Sequence, residues 1–167
     1  MIDSISQRSN QPSRQSAAQQ AKYSAVRQAE LRESIELLFL GYRSFTARPD
    51  LILARRGLGR VHHRILYFVG REPGISVNRL LTTLKVSKQA LNAPLRRLLE
   101  SKLVSAQSAA HDRRVKELRL TAEGARLEQQ LTGTQMKQLS EVFATAGGEA
   151  EIAWRELMRV LTVLGRE

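Results

Sequence analysis

The chain has 167 residues, no cysteine and a formal net charge of +11. That length suits one compact domain with helical extensions rather than two independent ones, and the missing thiols exclude disulfides, thiolate metal sites and cysteine nucleophiles. No apolar run approaches the length of a membrane span, and the polar N-terminus lacks a signal peptide's apolar stretch, so a cytoplasmic protein with no membrane partner is expected.

The charge is segregated. Residues 55 to 119 hold fifteen Lys and Arg against four acids, a net +11, while residues 1 to 54 carry +2 and residues 120 to 167 carry −2. A concentrated positive field suits a polyanion, because each neutralised phosphate releases condensed counterions. Double-stranded DNA is therefore the expected partner.

Residues 1–16 are polar, contain Pro12 and show no apolar period, which reads as a flexible tail. From residue 17 to about 48, Leu31, Ile35, Leu38, Tyr42 and Phe45 recur at three- and four-residue spacing, an amphipathic helix that Pro49 and Asp50 are expected to close. A second helix is expected over Leu58–Glu72, ended by Pro73-Gly74. Two short helices follow, one capped by Ser76 and carrying Val77, Leu80, Leu81 and Leu84, the other capped by Ser87 and carrying Leu91, Leu95 and Leu98. Only Lys85 and Val86 separate them, the helix-turn-helix spacing whose second helix enters the major groove. Pro94 within that second helix removes an amide and crowds the carbonyl of Ala90, so a kink or loosened turn is expected from Ala90 to Pro94.

Leu103–Ser108 and Val115–Leu120 are short enough to be strands, and the polar AAHDRR between them reads as a hairpin with a charged tip, a wing. Thr121 caps a further helix, with Glu123 in its first turn; Gly124 and Gly133 weaken its straightness. After Gly147-Gly148 a last amphipathic helix includes Trp154, Leu157, Met158 and Leu161. The expected fold is mainly α with a small β-hairpin: a winged helix-turn-helix at about 58–120 within one domain over 17–167. Helices at about 17–48 and 121–165 flank it, and their apolar stripes point to a homodimer that sets two recognition helices about 34 Å apart, one DNA turn.

On that geometry, base reading falls to Ser87, Lys88, Gln89 and Asn92, with Arg96 and Arg97 on phosphates or flanking bases. Arg113, Arg114 and Lys116 are the wing's DNA contacts, and Asp112 holds an arginine or the loop backbone. His62 and His63 lie about 100° apart on a helix with no ligand at suitable spacing, so no metal is expected. No Ser-His-Asp set, phosphate loop or carboxylate pair suggests an enzyme, and no cofactor is implied.

The order of helix, turn, helix opening Val-Ser-Lys, Leu103-Val104, Asp112-Arg113-Arg114 and Leu118-Arg119-Leu120-Thr121-Ala122-Glu123-Gly124 resembles the MarR family of bacterial regulators over about Leu31–Leu164. The resemblance implies an obligate homodimer on a pseudo-palindromic site, usually repression, and often relief by a small aromatic ligand. One of His62 and His63, with Tyr42, Arg43 or Tyr67, would line such a pocket; the plainer reading is that the histidines pack or cap between the first two helices. Lys102 departs from the pattern, standing where most members have Gly. Two other readings fit the same chain: an architectural DNA-coating protein, and a helical adaptor whose basic face meets an acidic partner.

Overall fold

The computed structural model describes residues 14–109, 112 and 114–164, with side chains from residue 24 onward. The chain divides into two units, Met1–Arg43 and Ser44–Glu167. The first is the N-terminal part of helix α1 (Arg14–Ala54). Every described side chain from 24 to 43 is exposed, including Val26, Leu31, Ile35, Leu38 and Phe39. The helix begins at Arg14, three residues before its expected start at residue 17.

The second unit holds the core. Here α1 continues to Ala54, through the Pro49 and Asp50 expected to stop it. Proline cannot donate to the carbonyl of Phe45; that oxygen instead accepts from Gln135 Nε2 at 3.4 Å. Pro49 itself is fully buried, and Asp50 receives both Nε and Nη2 of Arg60. Tertiary contacts thus supply what the local chain lacks, which a local breaker rule does not register.

Helix α2 (Arg60–Arg71) buries Ile65, Leu66 and Val69. A two-residue strand β1 (Ile75–Ser76) precedes α3 (Val77–Leu84) and α4 (Lys88–Glu100). Strands β2 (Val104–Ser108) and β3 (Lys116–Leu120) form the hairpin, and α5 (Ala122–Ala146) and α6 (Gly148–Leu164) complete the chain. The sheet order is β1-β3-β2, antiparallel throughout, with Ile75 opposite Leu118 and Val104 opposite Leu120. Strand β1 is too short to show a two-residue period, so only its pairing reveals it.

Leu53, Ile65, Leu66, Leu80, Leu91, Leu98, Leu118, Leu127 and Leu131 are almost completely enclosed and form one cluster. The apolar positions of five helices and the sheet meet there, so the helix-turn-helix and the root of the wing share a core. Helix α4 runs unbroken through Pro94 in place of the expected loosening at Ala90. Ala90 is exposed, so water can take its orphaned carbonyl, while Leu91, Leu95 and Leu98 pin the helix on its other face.

Both glycines of α5 lie inside a continuous helix. Gly124 is required by close approach: a Cβ there would sit 1.8 Å from the carbonyl oxygen of Leu103. The same carbonyl accepts from Thr121 N at 3.1 Å, and Thr121 Oγ donates to the carbonyl of Lys102 at 2.7 Å while accepting from Gly124 N at 3.0 Å. The start of α5 is thereby locked to the start of β2.

Candidate DNA-binding surface

The two helices of the helix-turn-helix start on serine caps and end on left-handed lysines. Ser76 Oγ accepts from Arg79 N, and Ser87 Oγ accepts from Ala90 N, each at 3.1 Å. Each satisfies one amide left open at a helix start. Helix α3 ends with Lys85 at φ 51° and ψ 45°; Val86 N then reaches back to the carbonyl of Leu81. Helix α4 ends the same way, with Lys102 at φ 55° and Leu103 N donating to the carbonyl of Leu98 at 3.0 Å. These are the paired bonds of a Schellman stop, whose left-handed position favours glycine. Lys102 adopts the left-handed conformation all the same, at a cost of about 1 kcal/mol.

Ser87, Lys88, Gln89 and Asn92 are all exposed on the first turns of α4. Ser87 is committed as an acceptor to its cap but keeps its hydroxyl proton for donation. Leu91, Leu95 and Leu98 face the core, so these polar residues stand on the opposite side. Arg96 approaches Glu100 at 4.0 Å, one turn on. Arg97 lies toward the α1–α2 corner: a Cβ on Gly57 would be 3.6 Å from its Nη2.

At the wing, Asp112 Oδ1 accepts from the backbone N of Arg114 at 2.9 Å and from its Nε at 3.3 Å. Asp112 therefore orders both the loop and its arginine. The Arg114 side chain is 93% exposed, projecting from a fixed root. Lys116 Nζ donates to Ser108 Oγ across the hairpin at 2.8 Å. Arg113 lies outside the described residues.

The histidines sit in different settings. His62 Nδ1 accepts from Gly59 N at 2.9 Å, back-capping α2 in the manner of a capping-box residue. Burial and the nearby positive charge of Arg97 keep it below the ordinary histidine pKa. His63 is lowered by burial as well, against the opposing pull of Glu128 and Asp50. Tyr67 packs edge-on to Phe68, ring centroids 5.2 Å apart, with the Arg71 guanidinium 6.0 Å above its ring. Tyr42 and Arg43 are exposed on α1, in the first unit. A cleft of about 310 Å³ in the second unit is lined by Arg48, Leu51 and Ile52 of α1, by Arg55 in the turn just after it, and by Gln130 and Thr134 of α5; periodicity in either helix alone could not reveal it. Among the described residues no cluster of metal-ligating side chains occurs, and no helix is long and apolar enough to cross a membrane.

Residues 56–115 match the family model described as MarR family. The chain is 39% identical over 132 residues to the HTH-type transcriptional regulator PetP of Rhodobacter capsulatus, covering 79% of this chain and 80% of that protein. Its fold is similar to that of an S. aureus MepR variant bound to an oligodeoxyribonucleotide, with a TM-score of 0.54 at 19% identity over 78% of this chain and 97% of that one. It is also similar to NadR in complex with 4-hydroxyphenylacetate, with a TM-score of 0.63 at 20% identity over 74% and 88% of the two chains.

Proposed function

The chain belongs to the MarR family of helix-turn-helix transcriptional regulators, and from that premise we propose that it binds a pseudo-palindromic operator as a homodimer and represses transcription. The observation that carries this reading is the exposed polar face of Lys88, Gln89 and Asn92 at the start of a helix whose other face is anchored in the core. Gln and Asn suit adenine edges, and Lys suits guanine or phosphate. Arg96 and Arg97 hold phosphates or flanking bases, and Arg113, Arg114 and Lys116 carry the wing's contacts, Arg114 entering the minor groove from the loop that Asp112 orders. The second chain is supported by apolar faces that the core does not cover, on α1 and on α6.

Selection of bound duplexes from a random pool tests the proposal. A two-fold-related site with half-sites about one turn apart is expected, as is loss of its preference over random DNA on Lys88→Ala with Gln89→Ala. Equal affinity for selected and random duplexes at one salt concentration would instead favour an architectural protein.

An organic-anion effector is a second element of the proposal. The α1–α5 cleft places Arg48 and Arg55 beside apolar Leu51 and Ile52, a setting for a carboxylate with an apolar body. NadR is seen with such a molecule, 4-hydroxyphenylacetate. Release of operator DNA on titration with this acid is the direct assay. Substitutions at Tyr42, Arg43, His62, His63 and Tyr67 are to be compared with substitutions at Arg48 and Arg55.

A further inference from the structure

We propose that Lys85, in the turn between α3 and α4, is a phosphate anchor that positions the recognition helix on DNA; this rests on the DNA-binding reading of that helix. The backbone at Lys85 is left-handed, φ 51° and ψ 45°, a conformation that glycine adopts freely and lysine does not. The turn itself has no use for the ammonium group. Its hydrogen bonds are made by backbone alone, from Lys85 N to Leu81 and Thr82 and from Val86 N to Leu81, and glycine would make all of them.

The neighbouring side chains are engaged elsewhere. Thr82 and Thr83 donate to the carbonyls of Asn78 and Arg79 on their own helix, and Arg79 faces Glu72 at 3.7 Å. Among the described residues Lys85 is therefore an uncommitted cation of the turn itself, as Lys88 is of the helix start, exposed and two residues before the Ser87 cap of the reading helix. A lysine there acts as a point charge on a flexible stem, suited to phosphate rather than to a base edge.

Lys102 supplies an internal control. It has the same left-handed backbone, φ 55°, and the same Schellman bonds, but it closes the other end of α4, about 20 Å away at 1.5 Å per residue. If the two lysines only complement helix dipoles, replacing either by glycine has the same consequence. If Lys85 anchors a phosphate, the two part company.

The experiment compares Lys85→Gly, Lys102→Gly and Lys88→Gln in the full chain, measuring melting temperature and the affinity for a mixed-sequence DNA duplex across a salt series. Both glycine variants are expected to melt no lower than the parent. Lys85→Gly is expected to weaken duplex binding several-fold, about equally for different sequences, and to reduce the log–log salt slope by about 1, with Lys85→Arg restoring both. Lys102→Gly is expected to leave the slope unchanged. An unchanged slope for Lys85→Gly, or an equal change in both glycine variants, overturns the inference. If Lys88→Gln weakens binding while Lys85→Gly does not, the inference falls and the DNA-binding reading stands; if the parent does not bind duplex DNA, the reading itself falls.

Discussion

The winged half of the molecule and its terminal helices use apolar residues in opposite ways. In the winged half, leucines from α2, α3, α4, β3 and α5 close on one another until almost nothing is exposed. On the N-terminal part of α1, Ile35 is 69% exposed and Phe39 63%; on α6, Leu157 is 65% exposed and Leu164 68%. Near 25 cal/mol per Å², faces of that kind are a standing penalty in water and a ready source of association energy. The winged half thus buries its apolar residues within one chain, and the terminal helices leave theirs exposed. The division matches the charge pattern, since the complete half carries the positive field and the uncovered helices are nearly neutral.

The largest effect should come from the uncovered side. Replacing Leu157 and Leu161 by Glu on α6 is expected to yield monomer by light scattering with the winged core still folded, and to cut operator affinity on the order of a hundredfold by unlinking two half-sites. A dimer that survives with full affinity breaks the comparison. Next is the seam between wing root and α5. Gly124→Ala must displace the Leu103 carbonyl, with an expected loss of about 2–3 kcal/mol in denaturant unfolding, as for other overpacked sites; an unchanged midpoint would show that this seam has slack.

On the DNA side, Arg114→Ala should weaken operator binding about tenfold at fixed salt with the dimer intact. Asp112→Asn should do less, since it alters the arginine's support and not the arginine. Equal affinity for wild type and Arg114→Ala removes the wing from recognition. The smallest effect concerns pH. Both His62 and His63 are held below the ordinary 6.5 in the folded chain, so between the folded and unfolded pKa values the unfolded chain binds more protons. Their contribution to stability is complete above about pH 6.5 and is lost as the pH falls through the folded values. His62→Gln, which keeps an acceptor for Gly59 N, should flatten part of that decline in thermal melts; a melting temperature that rises below pH 6.5 because of these residues would reverse the sign.

The elements that were legible share a property: their evidence is local. The serine caps, the leucine spacing of α3 and α4 and the Thr121 cap are each written within a few residues, and the structure has all of them. The Asp112 interaction with Arg114 was legible for the same reason, the partners being two residues apart.

What the sequence alone determined was the winged helix-turn-helix, its charge and the exposed polar face at the start of α4, because cap chemistry, helical period and charge are short-range quantities. The tertiary structure decided where proline stops a helix. Pro49 and Pro94 are both absorbed, the first because Gln135 arrives from 86 positions further along the chain to replace the lost bond, the second at a turn where Ala90 is exposed to water. It decided that β1 is a strand, through pairing with β3, and that position 124 admits only glycine, through the carbonyl of Leu103. It also brought α1 and α5 together around the Arg48 and Arg55 cleft. In each case the deciding partner is distant in the chain, and no local pattern carries its position.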